Sequence, residues 1–265
     1  MQSDLIKMNA NPIYSETVTL PANRACVLSV GHLNKSFGNN KVLVDFSMHL
    51  FEGESIVIFG KSGCGKSVLI KCIIGLLRPD EGRIIVLDHD VSMLSHDEMD
   101  VLRAKMGFLF QSNALYDSMT VRENLEFPLR RHWIQLGQSE IDKLVSEALE
   151  DVGLLHTIDI MPSELSGGMR KRIALARTLI LKPKIMMYDE PTTGLDPITG
   201  NEIIDLMIEI QKKYNTSSIV ISHDMNCIKK VSDRIIMLID GTCYAIGSFE
   251  TVSKSTDEKI KPFFV

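Results

Sequence analysis

Short apolar runs punctuated by Gly and Asp recur from Cys26 onward: Cys26–Val30, Ser55–Phe59, Arg83–Leu87, Lys184–Tyr188, Ser218–Ile221 and Arg234–Ile239. Each is strand length. Most are apolar at consecutive rather than alternate positions, the pattern of strands buried on both faces. Between them lie helical stretches, notably Lys66–Leu76, Gln138–Asp151, Met169–Leu181 and Thr199–Lys213. Strands alternating with helices predict an α/β fold with a largely parallel sheet. One stretch breaks the alternation, because the pattern from Thr120 to Glu164 is helical throughout. Thr120 is placed to cap a helix through Phe127, and a second helix from Ser139 carries Ile141, Leu144, Val145, Ala148 and Leu149 on one face. An all-helical insertion over about 112–168 is the expectation. Residues 1–25, with Asn, Ser, Pro and Thr and no sustained periodicity, read as an N-terminal extension. Residues 26–250 form the expected domain, and 251–265 a tail ending in Pro262-Phe263-Phe264-Val265.

Composition narrows the class. The 265 residues are 45% hydrophobic and 24% charged, enough apolar side chain for a core, which excludes disorder and fibrous repeats. The net charge of −5 argues against a nucleic-acid binder that relies on overall basicity. Apolar stretches such as Leu69–Leu77, broken by Lys71, fall short of the roughly 18 residues of a membrane span. Met1–Ala10 lacks the basic and apolar regions of a secretory signal, so the expectation is a soluble chain not exported by that route. Five cysteines, Cys26, Cys64, Cys72, Cys227 and Cys243, form no CxxC pair and read as reduced thiols.

The chemistry begins where Ser55–Phe59 runs into Gly60-Lys61-Ser62-Gly63-Cys64-Gly65-Lys66-Ser67, which fits GxxxxGK[ST]. Glycines let successive backbone N–H groups face inward as an anion nest, and the following helix adds its positive end. Lys66 would reach β- and γ-phosphates, and the Ser67 hydroxyl would bind Mg²⁺. A second element is the apolar strand Lys184–Tyr188 with Asp189-Glu190 at its C-terminal end, where open α/β sheets bind ligands. Asp189 is suited to hold Mg²⁺ through water, and Glu190 to polarise a water attacking the γ-phosphate. Leu165-Ser166-Gly167-Gly168-Met169, small and glycine-rich before a helix, makes a second anion cradle. One nucleotide needs only one such loop, so the surplus asks for an explanation.

With these elements in this order, the chain resembles the ATP-binding cassette (ABC) ATPases over roughly residues 27–248. That implies a P-loop NTPase, RecA-like α/β core with a mainly parallel sheet, a small N-terminal antiparallel β subdomain and the all-helical ABC insertion. It implies ATP and Mg²⁺ as cofactors, bound by Gly60, Lys61, Ser62, Gly63, Cys64, Gly65, Lys66, Ser67 and Val68. Phe37 resembles the aromatic that stacks on adenine. Gln111 resembles the Q-loop glutamine, a Mg²⁺ contact beside Ser67 and Asp189. His223, in Ser222-His223-Asp224, resembles the switch histidine and Asp196 the D-loop aspartate. Lys66, Gln111, Glu190 and His223 are the implied catalytic set. In the family two copies face head to tail, so Ser166, Gly167 and Gly168 of one copy close over the ATP of the other. Leu165–Met169 and Asp196 then lie in the dimer interface. A separate multi-span permease is the implied partner, docking beside Gln111–Phe127, where Leu115, Tyr116 and Phe127 offer apolar surface. No nucleic-acid partner is expected.

Two departures point to a branch. Met169 ends the signature where Gln is usual, and Val68 follows Ser67 where Thr is usual. With Leu109-Phe110-Gln111, Ala114–Ser118 and Asn124–Leu129, they resemble the Mce-associated, Mla-type lipid-transport ATPases. That branch implies an Mce-domain protein, a small STAS-like subunit, and a place on the cytoplasmic face of the inner membrane, reached through the permease. The alternatives are the ATPase of another transporter, such as a polar amino-acid importer, or of iron–sulfur cluster assembly.

Other features take plainer readings. Ser222-His223-Asp224 lacks the elbow motif of a hydrolase triad. Asp88-His89-Asp90 and His96-Asp97-Glu98 read as turn and helix-start residues, Arg170-Lys171-Arg172 as a solvated helix face, and Trp133 with Arg130–His132 as cover for the insertion's core. A frayed tail is the default for a terminus, yet Phe263 and Phe264 suit solvent poorly; the expectation set against fraying is an anchor across the dimer, with the permease and the tail's own subunit as other receptors.

Overall fold

A computed structural model describes residues 14–15, 24–132 and 136–264. Most of the expected N-terminal extension, Trp133 and Val265 lie outside the described residues. In chain order the elements begin with β1 (Tyr14–Ser15), β2 (Cys26–Phe37), β3 (Asn40–Phe51), β4 (Ser55–Phe59), α1 (Lys66–Ile73), β5 (Glu81–Val86), β6 (His89–Asp90) and α2 (His96–Ala104). Next come β7 (Met106–Leu109), α3 (Val121–His132), α4 (Gln138–Asp151), α5 (Gly167–Leu179), β8 (Ile185–Asp189) and α6 (Pro197–Tyr214). The chain continues through β9 (Ser217–Ile221), α7 (Met225–Val231), β10 (Arg234–Ile239), β11 (Thr242–Gly247) and α8 (Phe249–Ser253). By packing these fall into two compact units, residues 1–99 with 217–265, and residues 100–216.

The first unit holds a run of strands in the order β1-β11-β10-β4-β9 and an antiparallel sheet in the order β3-β2-β5-β6. β4 lies parallel to both neighbours, with Ile56 opposite Arg234 of β10 and Ile219 of β9. Every residue of β4 and β9 is buried, which accounts for their unbroken apolar runs. The runs at Cys26 and Arg83 belong to the antiparallel sheet. β3 and β11 escaped the reading by hydrophobic runs. β3 carries polar positions and register shifts against β2, with His32 and Asp45 in the left-handed region, so its alternation is broken. α1 stops at Ile73, short of the expected Leu76, because Gly75 turns the chain at φ +69° and Leu76 N–H bonds back to the Lys71 carbonyl at 2.8 Å.

A buried ion pair secures the entry to β4. The Arg234 guanidinium donates to both Glu54 carboxylate oxygens (2.9 and 3.1 Å) and to the His49 carbonyl (2.6 Å). The two side chains are only 4% and 3% exposed, so both charges depend on each other for solvation. Around them Ser55 N–H donates to Asp233, and the Ser55 and Ser218 hydroxyls meet at 2.8 Å.

In the second unit β7 and β8 pair in parallel, with Leu109 opposite Tyr188. Between Thr120 and Glu164 the described residues form α3, α4 and two 3-10 turns, with no strand. Thr120 caps α3 as expected: its hydroxyl accepts from Glu123 N–H (3.2 Å), and the Glu123 carboxylate accepts from Thr120 N–H (2.7 Å). The helix runs past Pro128 to His132, its buried stripe of Val121, Leu125 and Leu129 outweighing the missing donor. Asn124, fully buried, accepts from Tyr116 N–H and donates to the carbonyls of Tyr116, Met119 and Thr120, all at 2.8–3.1 Å. One side chain thus organises the loop before α3.

Arg234→Ala leaves the Glu54 carboxylate buried without its cation, and should destabilise the chain by about 3–5 kcal/mol. Urea unfolding checks this through the transition midpoint; a change under about 1 kcal/mol would show that the pair is not what holds β4.

Candidate functional site

Three glycines shape the loop that leaves β4. A Cβ on Gly60 would stand 2.2 Å from the Leu238 carbonyl oxygen of β10, and one on Gly65 2.7 Å from the Val42 carbonyl oxygen of β3. Gly60, Gly63 and Gly65 have φ of +155°, +80° and +109°, values that only glycine adopts freely. Gly65 is the N-cap of α1 and offers no side-chain cap, and the first turn has no acidic residue, so the positive end of the helix is left to a ligand. Lys66 folds back over the loop, donating to the Gly60 and Lys61 carbonyls (2.8 and 3.0 Å), with Cys64 Sγ at 3.7 Å. Ser67 is exposed in the first turn of α1. These features fit a polyphosphate with its divalent cation.

The β2–β3 hairpin that brings Val42 against Gly65 carries Phe37 at its tip, half exposed, with Lys35 Nζ 5.5 Å from the ring centre. An exposed aromatic face there suits base stacking. His223 lies two residues beyond Ile221, which pairs with Ile58 of β4, so it leaves the sheet at the same end as the loop. The buried Ser222 hydroxyl accepts from Asp224 N–H (3.1 Å), and the Asp224 carboxylate caps α7 through Asn226 and Cys227 N–H. Serine and aspartate are occupied with the backbone, so the three consecutive residues do not form a hydrolase triad.

The second unit carries the remaining residues. Asp189 ends β8, and Glu190 follows it in the left-handed region at φ +51°, with Thr193 Oγ1 3.4 Å from its carboxylate. Gln111 and Glu190 each stand two residues past the paired Leu109 and Tyr188, at one end of the two strands. Ser166 caps α5, its hydroxyl accepting from Met169 N–H (3.2 Å), and Leu165 is buried behind it. A Cβ on Gly168 would lie 2.6 Å from Thr199 Cγ2, so the glycine lets the start of α5 rest on the start of α6. Asp196 caps α6, accepting from Ile198 and Thr199 N–H (3.1 Å each), and the bonds from Thr199 hold its carboxyl below the usual aspartate range.

Of Arg170-Lys171-Arg172, only Arg170 is exposed as a solvated face requires; Lys171 and Arg172 correct that reading. Lys171 is 2% exposed and donates to the Gln111 carbonyl (3.1 Å), while Arg172 pairs with Glu202 (2.9 Å). Burial pushes the Lys171 ammonium below its usual pKa, and the Asp189 charge opposes that push. Six residues on, Arg177 donates to the carbonyls of Ala114 (2.8 Å) and Asn113 (3.3 Å). Neither contact leaves a periodic signal in the sequence. The acidic and histidine clusters keep their plain readings: Asp90 caps a 3-10 turn, Ser95 and Glu98 cap α2, and no group of three or more potential metal ligands occurs among the described residues.

The tail packs on its own chain, one of the receptors expected for it. Phe263 and Phe264 pack edge-on against Phe59 of the same chain (centroids 5.8 and 5.7 Å), and Phe264 also meets Phe249 (5.6 Å). Asp257 secures the turn before them by accepting from Lys259 N–H and the Tyr244 hydroxyl, and Ile260 is fully buried. Within the chain the tail is therefore anchored on the strand that feeds the glycine loop. A cleft of about 600 Å³ runs between loop and tail, lined among others by Lys61, Cys64, Asp240, Lys259 and Phe263.

The profile of the family described as ABC transporter matches residues 43–193. A probable ribonucleotide transport ATP-binding protein, mkl, of Mycobacterium leprae is 37% identical over 89% of this chain and 68% of that protein. An intermembrane phospholipid transport system ATP-binding protein, MlaF, of Haemophilus influenzae is 36% identical over 89% of both. A methionine import ATP-binding protein, MetN, of Clostridioides difficile is 37% identical over 85% of this chain and 70% of that one. Among solved structures, the dimeric post-hydrolysis state of the cassette MJ0796 bound to ADP and Pi superposes with a TM-score of 0.75 at 31% identity, covering 83% of this chain and 98% of that one.

Two measurements test this geometry. Cys26 is exposed and Cys64 half-buried, whereas Cys72, Cys227 and Cys243 are buried, so a maleimide should modify the first two and MgATP should protect Cys64 alone. Full labelling of Cys64 with unchanged ATP affinity would contradict the loop geometry. Replacing Phe263 and Phe264 by Ala should lower stability by about 2 kcal/mol, since each ring is partly buried, and the loss should not vary with protein concentration. A loss that shrinks as concentration rises would return the anchor to a second copy.

Proposed function

The chain belongs to the ABC transporter family, as an ATPase coupled to transport, and we propose that its cargo is phospholipid or a related lipid of the cell envelope. The observation that supports the lipid reading is the MlaF relative, which matches over 89% of both chains, together with Met169 and Val68 at the two branch positions. The ribonucleotide and methionine names among the relatives mark the rival cargoes.

In this reading the loop Gly60–Val68 takes the phosphates of ATP on its amides, and Lys66 leaves the Gly60 and Lys61 carbonyls to neutralise phosphate charge. Phosphoryl transfer needs positioning and charge compensation more than covalent help. Ser67, Asp189 and Gln111 would hold Mg²⁺, which supplies further charge compensation when bound. Glu190 orients a water and accepts its proton as the oxygen attacks the γ-phosphorus. Gln111 and His223 respond to the presence of the γ-phosphate, and Phe37 stacks on the base. The capped helix start at Ser166-Gly167-Gly168 closes over the ATP of a second copy, with Asp196 beside it. Hydrolysis then removes contacts that bridge the two copies and lets them part.

No described helix is long and apolar enough to cross a membrane, so transport calls for a permease. Tyr116 and Phe127, half exposed with tilted rings whose centres are 4.9 Å apart, offer it an apolar landing. An Mce-domain protein and a STAS-like subunit complete the proposed complex, on the cytoplasmic face of the inner membrane.

Lys66→Ala should lower turnover by about 10²–10³. Near-normal hydrolysis in the assembled complex would reject the loop assignment. Glu190→Gln keeps the phosphate contacts, so ATP binding should persist while hydrolysis falls by a factor of about 10² or more and a dimer accumulates in light scattering. Equal rates for variant and parent would remove Glu190 from the base role. The cargo is tested by purifying the complex in detergent and analysing bound lipid by mass; a permease recovered with amino acid and no lipid would favour an importer.

A further inference from the structure

Two cations of one helix hold the backbone of one loop. Lys171 and Arg177 of α5 donate to the carbonyls of Gln111, Asn113 and Ala114, three acceptors within four consecutive residues. Arg177 also lies 5.6 Å from the Tyr116 ring centre, over its face. The segment cannot hold this shape through its own preferences. Asn113 and Ala114 have φ of +63° and +51°, a region that side-chain-bearing residues avoid, and both carbonyls are those that Arg177 captures. Lys171 is buried, and a buried ammonium persists only where something requires it. Its hydrogen bond goes to the backbone of Gln111, which leaves the glutamine amide available for other work. The same helix begins at the Ser166 cap.

We propose that Lys171 and Arg177 are positioning residues that lock segment 111–116, with Gln111 at its head, to the helix beginning at the Ser166-Gly167-Gly168 cradle. An α-helix moves as a rigid rod over its 13 residues, so a displacement at the cradle reaches the loop as a shift of three carbonyls. The loop then passes it to the Gln111 side chain at one end and to Tyr116 at the other. Two places that would touch different partners are coupled within one unit. The inference rests on the roles given above to Gln111 and the cradle.

The test uses the full chain, in the complex that supports turnover for rates and alone for exchange. Lys171→Met keeps the volume and removes the donors, Lys171→Arg keeps a cation, and Arg177→Lys keeps charge but loses the fork. Amide hydrogen exchange of a peptide covering 111–116 should speed up about tenfold or more in Lys171→Met and Arg177→Lys, with exchange of β7 and β8 unchanged. For Lys171→Met, kcat should fall about tenfold with the KM for ATP within about threefold, and Lys171→Arg should recover most of both effects. Parental exchange at 111–116 in Lys171→Met overturns the proposal whatever its rate, as does a raised KM at unchanged kcat. Should Lys171→Met not fold, Arg177→Lys decides through the same peptide, where parental exchange again overturns it. Lys66→Ala separates the premises: full hydrolysis in that variant rejects the phosphate-loop reading without touching the exchange result.

Discussion

The carbonyl of Leu238 stands where any side chain on Gly60 would have to be, at 2.2 Å from its ideal Cβ. The glycine loop after β4 depends on that contact. It forces glycine at the step out of β4, and with glycine comes a backbone direction unavailable to other residues. From the other side the Val42 carbonyl presses on Gly65 in the same way. The loop is therefore moulded by two neighbouring strands as well as by the bonds Lys66 makes to its own carbonyls, and its placement follows the sheet. At the far end of β4 the Glu54–Arg234 pair and the Ser55–Ser218 hydroxyl contact fix the strand against both neighbours, so the register that aims the loop is set some five residues before the loop begins.

Three helix starts on this chain deal with their exposed amides differently. α1 has neither a side-chain cap nor an acid in its first turn. α5 is capped by the neutral hydroxyl of Ser166, and α6 by the Asp196 carboxylate. A helix that supplies its own negative charge has little use for an external anion, whereas a bare one attracts it. On that scale the start of α1 is the most open to an anion, that of α5 less so, and that of α6 the least.

Much of this could be read from residue order. β4, β10 and α4 have the bounds that periodicity predicts, because each is long, uniformly buried or cleanly amphipathic. The glycine spacing of 60–67 and the carboxylates at the end of β8 were legible because the chemistry read into them demands fixed residue types at fixed steps. What escaped has a common cause. β3 carries bulges that scramble alternation, and Lys171 sits in a basic triplet that looks solvated until residues 60 positions away fold over it. The phenylalanines of the tail suit solvent poorly, but residue order does not say what receives them, since Phe59 lies about 200 residues earlier. Contacts between a side chain and a distant backbone leave no pattern in the intervening sequence.

β4 also waits for its partners. The hydroxyls of Ser55 and Ser218 are 163 residues apart, and Glu54 and Arg234 are 180 apart. At translation rates of roughly 5–20 residues per second, a nascent chain carries this five-residue apolar strand for roughly 10–30 seconds before either neighbour is made. Both faces and both edges are unsatisfied during that interval, the condition under which strands recruit the wrong partner. The strand from which the glycine loop departs is thus the one most open to mispairing while the protein is being made.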